Sequence, residues 1–154
     1  MEEGRGRLLP GAARVTLLIC EDGTEYTERF QRFLGAEFRF LRAAHFAEVL
    51  AQLPSARALL LDLDFRRTDP ALLVDASGAK ASRETAEVQG LLILRALRAR
   101  GIQLPALLFA DLDDDARAAR LSAELAPLQI VPSGEGLSSI AQRLRALADQ
   151  QRDR

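Results

Sequence analysis

The run Ala58-Leu59-Leu60-Leu61 breaks off into Asp62-Leu63-Asp64, and this junction constrains the fold more than any other stretch. Four apolar residues in a row fit a strand covered on both faces, the habit of parallel strands. Carboxylates where such a strand emerges are costly unless they sit at an open edge with a partner. In open α/β sheets that edge, at the carboxyl ends of the strands, is where ligands bind. An earlier run, Val15-Thr16-Leu17-Leu18-Ile19-Cys20, ends the same way in Glu21-Asp22. Together these residues read as one acidic pocket of Glu21, Asp22 and Asp62, with Asp64 at its margin.

Composition narrows what such a pocket can serve. A length of 154 residues suits one domain. With 21 basic against 22 acidic residues there is no general pull toward nucleic acid or a membrane surface. One cysteine excludes an intramolecular disulfide and a zinc quartet, and the single His45 leaves no histidine cluster. No apolar run reaches the length of a membrane span, and the acidic start, Glu2-Glu3, lacks a signal-peptide core. The expectation is a cytoplasmic protein with no nucleic-acid and no membrane partner.

Along the chain, residues 1–13 read as a flexible leader and 14–150 as the domain. The first strand spans about 14–20. The helix after it has Thr24 as N-cap, an apolar stripe of Tyr26, Phe30, Phe33 and Leu34, and Gly35 as its stop. A strand at Phe38–Leu41 precedes a second helix whose Phe46, Val49, Leu50 and Leu53 share a face, with His45 beginning it and Pro54-Ser55 ending it. The third strand is 58–63. Residues 65–81 show no sustained period and read as an extended loop, within which Leu72-Leu73-Val74 could dock on the body or on a partner. Ser82 then caps a long third helix to Arg100, stopped by Gly101, with Leu91, Leu94 and Leu97 inward. The fourth strand is Leu104–Ala110. Asp113-Asp114-Asp115 opens the fourth helix, where acids favour the helix dipole. A short fifth strand, Leu128–Val131, stops at Pro132. The last helix carries Leu137, Ile140, Ala141, Leu144, Leu147 and Ala148 at helical spacing and frays from Gln150 onward.

Strands thus alternate with helices five times, which calls for a parallel sheet with helices on both faces and right-handed crossovers. A flavodoxin-like, doubly wound order 2-1-3-4-5 sets the first and third strands side by side at the switch point. The two acidic strand ends then meet.

On these residues the chain, from about 14 to 148, resembles the receiver domain of bacterial response regulators, in an atypical, pseudo-receiver form. Glu21-Asp22 falls where that family keeps its acidic pair, and Asp62 where it keeps the phosphoacceptor. Gly90-Leu91-Leu92-Ile93-Leu94-Arg95-Ala96-Leu97-Arg98 and Leu104-Pro105-Ala106-Leu107-Leu108-Phe109 look like its third helix and fourth strand. The resemblance implies a magnesium site at Glu21, Asp22 and Asp62. It also implies degenerate switching. Ala110 stands where the family has a hydroxyl, Val131 where it has a lysine before proline, and Leu128 at its aromatic position. Val131 cannot pair with a phosphoryl group and Ala110 cannot hydrogen-bond it. A missing charge-assisted contact forfeits about 1.5–3 kcal/mol.

The expected function is a stand-alone signalling domain, not an enzyme, that acts by protein–protein contact without conventional phosphorylation switching. Its partner would be a histidine kinase or downstream effector, and a homodimer could form through the fourth helix, fifth strand and fifth helix. The runner-up is a degenerate two-component response regulator in a phosphorelay, accepting phosphate on Asp62 with magnesium. Asp62-Leu63-Asp64 also admits two magnesium-dependent enzyme classes. A haloacid-dehalogenase-like phosphatase would use the first Asp as nucleophile and the second as acid. A Toprim-like domain would add Glu21. Other residues read more plainly: Cys20 as core, Asp111 as a helix cap, and Arg95, Arg98 and Arg100 as a solvated face. Three close carboxylates without a cation should raise at least one pKa.

Overall fold

The computed structural model describes residues 14–152; the expected leader 1–13 lies outside them. β1 (Val15–Cys20), β2 (Phe38–Ala43), β3 (Ala58–Asp62), β4 (Ala106–Phe109) and β5 (Leu128–Val131) form a parallel sheet in the order β2-β1-β3-β4-β5. Between and after them come α1 (Glu25–Leu34), α2 (Phe46–Gln52), α3 (Gln89–Ala99), α4 (Asp115–Glu124) and α5 (Leu137–Arg152). The expected doubly wound, flavodoxin-like fold is the observed one.

The unbroken apolar run in β3 serves two cores at once. Side chains alternate across a strand, so Ala58 and Leu60 join one apolar cluster while Leu59 and Leu61 join the other. The first cluster is closed by Phe30 of α1 and by Ile140, Leu144 and Leu147 of α5. The second is closed by Phe46 and Val49 of α2, Leu91, Leu94 and Leu97 of α3, and Leu121 of α4. Cys20 is buried in this second layer, as expected of a small apolar residue.

Several element details differ from the sequence reading. β2 runs two residues further, to Ala43, because Leu41, Arg42 and Ala43 stay paired with β1. β3 ends at Asp62 and β4 spans only Ala106–Phe109, the residues with sheet partners on both sides. The α1 stripe omits Phe33, which is 58% exposed beneath the guanidinium of Arg32. Tyr26, Phe30 and Leu34 recur every fourth residue and face the core, whereas Phe33 lies one position off that line. The third helix is not continuous from Ser82: residues Arg83–Val88 form a 3-10 segment before α3, and Ser82 makes no side-chain cap. Gly101, at φ +79°, supplies the expected left-handed stop. α5 continues through Gln150 and Gln151, where fraying was expected.

The 65–81 stretch is a folded part of the body. Phe65 and Leu73 are essentially fully buried, and Val74 pairs with Lys80 in an isolated antiparallel bridge. The Gln89 side chain, itself buried, accepts from the Val74 N–H and donates to the Val74 carbonyl, both at 2.9 Å. An amide thereby does for Val74 what a neighbouring strand would do. Only Leu72 of the expected docking triplet is exposed, at 42%.

The arginines of α3 and of its C-cap are also more engaged than a solvated face would be. Arg98 donates to the carbonyls of Leu125, Ile102 and Pro127, tying α3 to the end of α4 and the entry to β5. Arg95 pairs with Glu124, and Arg100 stacks over the Phe46 ring.

Candidate functional site

Strand register brings the acidic ends together. Cys20 pairs with Leu61 and Asp62 pairs with Phe109, so the residues after β1 and the last residue of β3 reach the same edge. Asp22, Asp62 and Asp64 line one open cleft there, together with Arg66 and Arg67.

Glu21 belongs to the same edge but points elsewhere. It is 1% exposed, and its Oε1 accepts from the Tyr26 N–H (3.1 Å). Its Oε2 accepts from the Thr27 N–H (2.8 Å) and hydroxyl (2.7 Å). The N-terminus of a helix leaves its first amides without partners, and a carboxylate there also meets the positive end of the helix dipole. Glu21 therefore caps α1. Thr24, expected as the cap, instead donates its hydroxyl to Glu28.

Asp22 is held by the 65–81 segment. Its side chain is 4% exposed; Oδ2 accepts from the backbone N–H of Arg67 (2.8 Å) and Oδ1 from the Arg67 Nη2 (3.2 Å). The same guanidinium makes a two-pronged contact with Glu25, at 3.0 Å through each of Nη1 and Nη2. This fork geometry is what a guanidinium offers a carboxylate and an ammonium does not. It holds the Glu25 carboxyl down at about 2. Arg42, at the end of β2, donates to the carbonyls of Asp22 (3.0 Å) and Gly23, fixing the turn itself.

Asp62 is partly buried and weakly served. Its Oδ1 accepts from the N–H of Leu63 at 2.9 Å. Burial pushes its pKa up to about 6, the Leu63 bond opposes this, and the charges of Asp22, Glu21 and Asp64 add to the rise. A raised carboxylate was expected from repulsion within the acidic cluster; burial is the larger cause and the neighbouring acids the smaller. Asp64 accepts from the Arg66 N–H and pairs with its Nε at 2.6 Å. Tyr26, stacked on Phe109 with ring centroids 4.6 Å apart, feels the same field. Burial and then the charges of Asp62, Glu21 and Asp111 push its phenol up to about 12.

Beside Asp62, the neighbouring strand ends are apolar. Val131 is wholly buried beneath α1 and α5, and Ala110 is buried on the opposite side, its N–H donating to the Val131 carbonyl at 2.9 Å. Leu128 is core, clustered with Leu121 and Leu125. Asp111 does not cap α4; Asp114 does, accepting from the amides of Ala116 and Arg117. Asp111 crosses to the β5–α5 turn and accepts from both the N–H and the hydroxyl of Ser133.

Magnesium asks for near-octahedral oxygen ligands and keeps several waters. Both Glu21 oxygens are taken by α1 and both Asp22 oxygens by Arg67. Asp62 Oδ2 is the one oxygen of the three expected ligands with no donor among the described residues. No trio of His, Cys, Asp or Glu among the described residues is arranged to hold a metal ion. As arranged, the residues do not fit the ion.

No protein-family model and no curated protein matches the chain. Solved structures do. The receiver domain of a Francisella response regulator superposes with a TM-score of 0.66 at 12% identity, covering 89% of this chain and 98% of that one. A two-component response regulator from Clostridium difficile gives 0.62 at 10% identity, over 88% and 97% of the two chains. A chemotaxis response regulator of Vibrio cholerae gives 0.61 at 13%, over 88% and 99%. The fold is that of a receiver domain. On this receiver fold the sequence reading located the acidic edge but missed Arg67, Arg42, Gln89 and the Asp111–Ser133 link. One signal was available: Arg66-Arg67 follows the acidic end of β3 within five residues. The partners of Arg42 and Gln89 lie 10 or more residues away and leave no local trace.

Proposed function

We propose that this protein is a receiver-like signalling domain that acts by contact with another protein, its output surface set without a phosphoryl event. The observation that carries this reading is the pair of strand ends next to Asp62. Ala110 and Val131 have no side-chain atom able to pair with a phosphoryl oxygen, and both are buried. Transfer to a carboxylate depends on positive contacts to the phosphoryl oxygens and on positioning. A surface that reads the event also needs a group drawn toward it. In place of such a group, Asp111 and Ser133 already join the β4–α4 and β5–α5 turns.

The role is one of binding rather than catalysis, with a histidine kinase or a downstream effector as the partner and the cytoplasm as its place. No helix among the described residues is long and apolar enough to cross a membrane. The surface offered is α4, β5 and α5, by analogy with the fold, and a homodimer through the same elements is the alternative use of it. The two enzyme readings lose support from the same geometry. Asp64 is paired with Arg66, and Glu21 is spent on α1.

One observation favours the second reading, a slow phosphoacceptor: Asp62 lines an open cleft, and its Oδ2 has no donor among the described residues. Titration with beryllofluoride and magnesium, followed by amide NMR, separates the two. The expected result is no saturable shift at Ala110, Val131 or Ser133. Saturable binding that Asp62→Asn abolishes would overturn the silent-surface reading.

A further inference from the structure

Arg67 lies where a cation belongs. It comes from the segment after β3, yet its backbone N–H and guanidinium take both oxygens of Asp22, while the guanidinium forks onto Glu25 at the start of α1. Asp22 is almost wholly buried, and a buried carboxylate requires a partner. A second, independent feature makes room for that partner. A Cβ placed on Gly23 would stand 2.3 Å from Arg67 Nη2, 2.7 Å from its Cζ and 2.3 Å from Glu25 Oε1. The side chain missing at Gly23 is the space that the paired Arg67 guanidinium and Glu25 carboxylate fill. Its backbone, itself pinned by Arg42, needs no glycine for conformational reasons: φ is not in the left-handed region. Behind Arg67, Phe65 is buried, the Phe65 N–H donates to Ala86 and the Thr68 N–H donates to Phe65, so the segment delivering the arginine is anchored.

We propose that Arg67 is a built-in counter-cation that occupies the acidic pocket in place of a divalent ion and keeps that ion out. The inference deepens the silent-site reading above and rests on it. It differs in naming what closes the pocket: the strand ends Ala110 and Val131 remove the response to phosphate, whereas Arg67 removes the metal. Two consequences follow from electrostatics alone. Deleting the guanidinium leaves Asp22 buried with only the Arg67 N–H as partner, so the pocket should draw a cation from solution. Crowding the guanidinium out from Gly23 should do the same with the arginine's charge still in the chain.

The test is manganese alone, titrated into the whole protein by calorimetry and read in parallel by water-proton relaxation. Wild type, Arg67→Ala, Gly23→Ala and Arg83→Ala are compared. Arg67→Ala and Gly23→Ala should each bind manganese at least tenfold more tightly than wild type. Arg83→Ala, which loses the same charge at an exposed position that does not line the cleft, should stay within twofold of wild type. Equal affinity in wild type and Arg67→Ala overturns the proposal, and so does an equal gain in Arg83→Ala, which would make the effect one of net charge. Beryllofluoride on the same proteins keeps the two readings apart. Saturable binding to wild type would sink the silent-site reading, whereas the manganese ratios alone decide the role of Arg67.

Discussion

Glu21 and Asp62 begin as equivalent acids at adjacent strand ends, and their surroundings make them opposites. Glu21 accepts three hydrogen bonds from the first turn of α1. Glu21→Ala should cost about 2 kcal/mol in urea unfolding, since it strands half-buried amides that were bonded to a charged group. Asp62 has one weak local bond and a pKa raised to about 6. A raised carboxylate pKa means the folded state holds its proton more firmly than the unfolded chain. Nothing is lost below pH about 4, where both states are protonated; stability then falls as pH rises toward 6 and stays reduced above it. Asp62→Asn should therefore stabilise the protein at pH 7.5 and leave it unchanged at pH 3.5. With solvent screening of a group partly open to water, the gain is about 1 kcal/mol. Parallel urea series at the two pH values check the sign. A carboxyl carbon NMR titration of Asp62 should show its midpoint near 6.

At the scale of elements, two contacts place the site. The first is the approach of α3 to the end of β3. A Cβ on Gly90 would lie 1.8 Å from the carbonyl oxygen of Asp62, while the Gly90 N–H bonds to Leu63 at 3.0 Å. Gly90→Ala must push α3 or the Asp62 turn aside. We expect a loss of about 2–3 kcal/mol in urea unfolding, as for overpacking at a fixed backbone contact, with amide shifts centred on residues 62–64. The second contact is Gln89 on Val74. Gln89→Leu leaves a buried N–H and carbonyl unpaired, at about 1–3 kcal/mol each before relaxation. The segment should open locally ahead of the domain. Limited trypsin digestion should then cut after Arg66, Arg67 or Lys80 several-fold faster than in wild type. Both glycine and glutamine stand in plain view in the sequence. Neither announces its role, because each acts on a residue at least 15 positions distant or on backbone that only tertiary packing brings near.

For the whole molecule, the segment after β3 changes its meaning. It contributes Phe65, Leu73 and Val74 to the core shared by α2, α3 and α4. Burying a large apolar side chain stabilises by roughly 1.5–3 kcal/mol, so removing the three forfeits most of the stability of an ordinary domain. Deletion of residues 65–81 should abolish the cooperative transition in calorimetry, where a tolerated surface loop would leave it intact. The same segment carries Arg67 into the acidic edge, so folding of the core and neutralisation of the site are one event.

The alternating pattern of strands and helices was legible because burial imposes it locally: an apolar run such as Leu59-Leu60-Leu61 can exist only where both faces are covered. The acidic edge was legible for a related reason, since carboxylates ending two adjacent parallel strands must emerge together. The apolar residues at the ends of β4 and β5 were likewise readable one by one. Which acid faces which donor was not. Glu21 turns to α1, Asp22 to Arg67 and Asp111 to Ser133 because hydrogen bonds and charge pairs form between whatever groups the packed chain brings within about 3 Å. Sequence position says nothing of such distances, and only the tertiary structure decides them.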